Sequence, residues 1–213
     1  MKKIIALILI AMIALPELVS AEIDTDLRIK YGTAAGAQRL ELVNFVGHGS
    51  GDKGSNASIE LALSLRRESK VRFMISLGAF HRQHTGDMND LSYPTNVNYE
   101  VDGLSLAPGV RVKINERWYA EGKVEIGRGN EGRVTFNSPG VAWNATKTGT
   151  YGSLSVIGGI YYLFKNISSR VGVELGVQTF QGDFGIWSNY GYWDTCSVTG
   201  TSPIANIAYS YQF

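Results

Sequence analysis

Residues 57–66 alternate with a period of two. Ile59, Leu61, Leu63 and Leu65 share one face, and Glu60, Ala62, Ser64 and Arg66 share the other. Such a stretch is a strand with one apolar side and one polar side, not a helix. The pattern recurs along the chain, at roughly 26–36, 57–66, 70–83, 100–114, 117–127, 150–164, 169–180 and 203–213. In 70–83, Val71, Phe73, Ile75, Leu77 and Ala79 oppose Arg72, Ser76 and Gly78, and Met74 breaks the polar face. In 100–114, Leu104, Leu106, Val110, Val112 and Ile114 oppose Ser105, Gly109, Arg111 and Lys113. In 169–180, Val171, Val173, Leu175 and Val177 oppose Gly172, Glu174, Gly176 and Gln178. The segment 150–164 is apolar on both faces, through Val156, Ile157, Ile160 and Tyr161. The expected fold class is all-β.

The gaps between these segments also alternate. Short ones fall at 67–69, 115–116 and 165–168, and gaps of about 15 to 22 residues separate the others, as in barrels with short turns at one end and long loops at the other. A strand of about ten residues tilted by about 40° spans roughly 25 Å, the height of the apolar band of such a barrel. The chain therefore reads as an antiparallel up-and-down transmembrane β-barrel, most simply of eight strands. Residues 38–47 could extend the first strand beyond a bulge at 32–36 or form a separate strand, and the sequence leaves both open.

The two ends fit this reading. Lys2 and Lys3 precede an apolar run from Ile4 to Leu15, then Pro16 and Val19-Ser20-Ala21. That is the layout of a cleaved signal peptide over 1–21, expected to be exported by the Sec route, with 22–213 as the barrel domain. The last segment, Ile207-Ala208-Tyr209-Ser210-Tyr211-Gln212-Phe213, puts aromatic residues at every second position. With Trp118, Tyr162 and Phe164, these aromatics gather beside the short turns, where a girdle at the membrane–water boundary belongs.

Composition sets limits. Twenty Lys+Arg stand against 19 Asp+Glu, and removal of Lys2, Lys3 and Glu17 balances them. A neutral chain gives no electrostatic basis for a nucleic-acid partner. The one cysteine, Cys196, cannot form a disulfide within the chain, and it reads as an incidental thiol.

The inward faces would carry Arg28, Lys30, Arg72, Arg111, Lys113 and Lys123 against Glu60, Glu121, Glu125 and Glu174. Eight strands leave an interior just wide enough for side chains to fill. Charges confined there must pair, so the expectation is a salt-bridged plug and no channel of general-porin size.

The signal peptide, the eight alternating segments, the four long gaps on one side and the terminal Tyr-x-Tyr-x-Phe together resemble the small outer-membrane β-barrels of the OmpA and OmpX type. The likeness is architectural. It implies that Tyr209, Tyr211 and Phe213 act as the signal read by the barrel-assembly machinery. It also implies residence in the bacterial outer membrane among lipid and lipopolysaccharide, and a structural or adhesin-like role. A separate wall-binding domain is not expected.

His48-Gly49-Ser50 has the H-x-S spacing of lipid A deacylases, with Phe45 before it, but Gly51 and Asp52 give it the look of a turn. No catalytic residue, cofactor or metal site is therefore expected, and a lipid A-modifying enzyme and a soluble lipocalin-type barrel stand as alternatives. His81 and His84 are three residues apart, so on a strand they point to opposite faces and cannot ligate together. The last long gap holds Phe184, Trp187, Tyr190, Tyr192 and Trp193 among Gly and Ser, with Phe136 and Trp143 in the gap before it. Two readings stand for these aromatics: a recognition surface for an extracellular glycan or protein, or packing among the loops.

Overall fold

The computed structural model describes residues 23–34, 38–42, 47–65, 70–88, 95–138, 141–164, 168–188 and 193–213. Nine strands form one antiparallel sheet. They are β1 (Ile23–Thr33), β2 (Gln38–Leu42), β3 (Gly47–Leu65), β4 (Val71–Met88), β5 (Thr95–Lys113), β6 (Trp118–Ser138), β7 (Val141–Leu163), β8 (Ser169–Ser188) and β9 (Trp193–Gln212). From β3 to β9 each strand pairs with the next in sequence, and β1 pairs with both β3 and β9, which closes the sheet on itself.

β2 is the upper continuation of β1. It too pairs with β3 and β9, through Leu40↔Gly49 and Leu40↔Val198. The ring thus has eight positions, and of the alternatives left open for residues 38–47 the described residues 38–42 take the extension of the first strand, while Gly47 begins β3. The break follows Gly32, where a Cβ would collide with the Ala205 carbonyl and the Asn206 side chain. Only glycine allows β1 and β9 to come this close. Following the pairings from Ile29 through Ile59, Ala79, Leu104, Arg128, Gly152, Gln181 and Thr199 returns to Arg39, a stagger of about ten residues. In an eight-stranded ring that stagger tilts the strands by roughly 40°.

The strands are longer than expected. From β3 to β9 they run 18 to 23 residues. At that tilt the wall is roughly 50 Å tall, about twice the apolar band of a membrane barrel. Most of what the sequence suggested as long loops is therefore wall. Residues 95–100 and 180–187, for example, are ladder-paired strand.

The wall changes character halfway up. In its lower half the outward residues are apolar: Phe73, Ile75, Leu77, Leu104, Leu106, Val124, Ile126, Leu154, Val156, Val173, Leu175 and Val177 are all exposed. The same strands then turn polar outward, at His81, Asp102, Arg128, Thr179 and Thr201. The interior does the reverse. It is charged below, and above it holds a buried apolar cluster that includes Val97, Tyr99, Val101, Val134, Phe180, Phe184, Ile186 and Val198. The lower half is built for a hydrocarbon solvent and the upper half for water.

At the lower end the short turns are closed by Ile114 N–H donating to the Trp118 carbonyl (2.9 Å) and Phe164 N–H donating to the Ser169 carbonyl (3.0 Å). The expected girdle is there. Trp118, Tyr209, Tyr211 and Phe213 are exposed, and edge contacts link Trp118 to Tyr162, Tyr162 to Phe164 and Tyr211 to Phe213 at 5.1, 5.3 and 5.3 Å.

Candidate functional site

The lumen is filled by two layers of side chains. In the lower layer each inward position on β1 meets a partner of opposite sign. Arg28 Nη1 and Nη2 donate to the two carboxylate oxygens of Glu121 at 2.7 and 2.9 Å. Arg111 Nε donates to the same carboxylate at 2.6 Å. Asp26 Oδ2 accepts from Arg111, from Arg170 at 2.8 Å and from Arg28 at 3.4 Å.

A second knot lies above. Lys30 pairs with Glu60 and with Glu174 (3.3 Å), and Lys123 pairs with Glu174 (2.9 Å) and Glu60 (3.2 Å). Tyr161 donates its hydroxyl to Glu174 (2.5 Å), while its ring sits under the Arg28 guanidinium at 5.2 Å. Gly172 makes room for that ring, since a Cβ there would strike it. Above this knot, Arg82 bridges Glu125 (2.8 Å) and Ser153 (2.6 Å) across the lumen.

Of the ten charges expected inside, eight form this lattice: Arg28, Lys30, Glu60, Arg111, Glu121, Lys123, Glu125 and Glu174. Arg72 is half-buried at the lower mouth and bonds Asp24 at 2.6 Å. Lys113 is a correction. It has the inward parity of Arg111, but it ends β5 beside the turn and is exposed. At the last ladder step the barrel opens to water, so parity no longer means enclosure. Asp26, Arg82, Arg170 and Tyr161 also belong to the lattice and were missed. For Asp26, Arg82 and Arg170, parity with Arg28, Arg72 and Glu174 on the same strands was the signal that could have found them.

The upper layer is an aromatic plug. His84 stacks on Tyr99 with ring centroids 4.8 Å apart and 11° between planes, and Phe180 lies 5.0 Å away. The Arg82 guanidinium covers the Phe80 ring at 4.1 Å. Burial, and then the positive charge of Arg82, pulls His84 down to about 4. Burial first, then Asp194 and Asp183, pushes the Cys196 thiol up to about 12. It is an inert core thiol.

Phe184 is the second correction. It is wholly buried in this plug, not part of a surface. Its ring covers three glycines, Gly132, Gly149 and Gly182, whose missing Cβ atoms leave the space it fills. Trp187, three residues on, is exposed on the outer face, and its register partner is Trp193. Tyr190 and Tyr192 lie outside the described residues, as do the side chains of Trp193, Phe136 and Trp143.

His81 and His84 point to opposite faces, as their spacing requires. His81 is half-buried on the outside, with Nδ1 2.9 Å from Asp102. His48, Gly49 and Ser50 lie on β3, and Gly49 pairs with Leu40 and Met88. The side chains of His48 and Ser50 and all of Phe45 are outside the described residues.

No protein-family model matches this sequence, and no curated protein does. Solved structures do match. The outer membrane protein OprG from Pseudomonas aeruginosa aligns with a TM-score of 0.53 over 89% of this chain and 95% of that one, at 12% identity. The outer membrane protease OmpT from Escherichia coli aligns with a TM-score of 0.52 over 89% and 97%, at 9% identity. The fold is that of the bacterial outer-membrane β-barrels.

Proposed function

We propose that this barrel resides in the bacterial outer membrane as a closed wall, which displays a rigid extracellular collar and conducts no solutes. The observation that carries the reading is the double closure of the lumen. Arg28 and Glu121 meet across its full width, and the Tyr99–His84–Phe180 stack lies above them. A lumen filled by paired ions and packed rings has no water-filled path of solute size. Its role is then structural or interactive, through the polar outer face of the upper wall.

Delivery follows from the two chain ends. Residues 1–21 act as a cleaved signal for Sec export. Tyr209, Tyr211 and Phe213 are the residues the barrel-assembly machinery would read. Lipid and lipopolysaccharide surround the exposed Leu, Ile and Val residues. Trp187, with Trp193 beside it in register, is the aromatic element available to an extracellular glycan or protein. Phe184 no longer belongs with them.

The test is conductance. The purified barrel, folded in detergent and shown to shift its gel mobility on heating, is added to planar bilayers. Silence where a general porin gives steady currents supports the proposal. Steady porin-scale current refutes it.

A further inference from the structure

We infer that the lumen holds an enclosed file of ordered water between its ion layer and its aromatic plug, along the inward row Glu125–Ser155–Gln178–Ser202. The four residues are successive register partners on β6, β7, β8 and β9, so one row of the sheet carries them across four neighbouring strands of the ring. All four are buried on the inner face. The row beneath, Ile157–Gly176–Ile204, is apolar, and Phe180 stands in the row above. A polar row therefore lies between two rows that carry apolar side chains.

Three of the four residues carry an oxygen that no side chain answers. Ser155 Oγ, Gln178 Oε1 and Ser202 Oγ are fully buried and have no hydrogen-bond partner among the described residues. Gln178 Nε2 donates to the Tyr151 hydroxyl at 3.0 Å, which leaves Oε1 on the other side of the amide. Arg82 Nε is unmet beside Glu125, although the two Nη atoms reach Ser153 and Glu125 at 2.6 and 2.8 Å. Across β1, Asn56 Oδ1 is unmet as well, while its Nδ2 donates to Asn206 at 3.4 Å. The knot of Lys30, Glu60, Lys123 and Glu174 leaves no buried side-chain atom unmet among the described residues. A buried polar atom without a partner is costly, and native interiors keep few of them.

The mixture of unmet atoms identifies the occupant. Gln178 Oε1 and Asn56 Oδ1 only accept, Arg82 Nε only donates, and the serine hydroxyls do either. A cation would answer the carbonyl oxygens and oppose the guanidinium, and an anion would do the reverse. The surrounding charges already balance, with Lys30, Arg82 and Lys123 paired to Glu60, Glu125 and Glu174. A neutral molecule that both donates and accepts meets every atom, and water is the smallest. Directly opposed side chains on neighbouring strands start about 5 Å apart, the span of one water bridging two oxygens. Buried waters typically make about three hydrogen bonds to groups of this kind. Asp26 Oδ1, Arg28 Nε and Arg170 Nε are also unmet, but they lie below the knot, toward the mouth where Arg72 is half-buried. The file is the part that knot and plug shut off from both ends, so it adds no path for solutes.

The experiment uses the full barrel, isotope-labelled and folded in phosphatidylcholine bilayers, and solid-state NMR follows magnetisation from water into side chains. Ser155, Gln178 and Ser202 should receive it early, close behind the exposed Thr201. Val198 and Ile186, buried in the plug, should receive it late. Serine signals as slow as those of Val198 mean a dry row and overturn the file. Val198 signals as fast as those of the serines mean an open wet lumen, which overturns its enclosure. Stability gives a second reading. Ser155→Ala and Ser202→Ala should each move the unfolding equilibrium about fivefold toward the unfolded state, because each strands a bound water. A hydroxyl buried dry would cost nothing to remove, so unchanged or raised stability in both variants overturns the file as well. Gel mobility on heating shows which variants fold, and the NMR reading on the wild type decides the question without either.

Discussion

Arg28 on β1 and Glu121 on β6 stand four strands apart in a ring of eight, and their side chains meet in a two-point ion pair at 2.7 and 2.9 Å. The pair spans the lumen at its full diameter. It ties opposite sides of the wall together, which the backbone ladders between neighbouring strands do not do. Buried ion pairs contribute little net stability when well made, because desolvation offsets the attraction, but breaking one leaves an uncompensated charge.

Glu121→Gln should therefore be costly. It leaves Arg28 and Arg111 sharing one carboxylate, Asp26, with Arg170, and should destabilise the barrel by about 3–5 kcal/mol. Urea unfolding in lipid vesicles measures this. A loss below about 1 kcal/mol, the value of an exposed pair, would mean that the lattice is hydrated and loose.

Phe184→Ala should cost about 3–5 kcal/mol, since the ring is wholly buried over three glycines that cannot fill the gap. Trp187→Ala, on the exposed face, should cost little. The contrast separates plug from surface, and the same unfolding experiment reads both.

His84 gives the plug a pH dependence. Its native value is about 4 against an ordinary 6.5, so in the fold it is neutral over a range where the unfolded chain already binds a proton. Stability should be full above about pH 6.5 and should decline by up to about 3 kcal/mol as pH falls to 4. His84→Phe should flatten that stretch of the profile. A profile unchanged by the substitution would place the sensitivity elsewhere.

The change of solvent along the wall predicts a contrast between two arginine substitutions. Leu175→Arg, within the apolar band, should cost about 2–4 kcal/mol, and Thr201→Arg, at its upper edge, about 0–1 kcal/mol. Equal costs in vesicle unfolding titrations would mean that the band does not face hydrocarbon.

Much of this was legible in the alternation. Ile59, Leu61 and Leu63 against Glu60, Ala62 and Ser64 fix which side of β3 meets lipid, because side chains of a strand alternate strictly. Met74 looked like an exception on the polar face of its segment, and it is buried in the lumen. Ile157 and Tyr161 are buried inside while Val156 and Ile160 are exposed, so the segment apolar on both faces is an ordinary wall strand. The upper wall was hidden for a different reason. Val97, Tyr99 and Val101 alternate with Asn98, Glu100 and Asp102, the same period with its faces exchanged. Read with one solvent in mind, such a stretch looks like polar loop.

The sequence by itself settled the strand period, the lipid-facing residues, the aromatic girdle and the sign of the charges turned inward, because each depends on neighbours one or two residues away. Only the closed ring decided which charges meet. Arg28 and Glu121 are 93 residues apart in the chain and become partners through the stagger of eight strands. The same closure turned Phe184 inward over three glycines and left Lys113 in water. Curvature and register brought those groups together, and both arise from the sum of all the pairings rather than from any one segment.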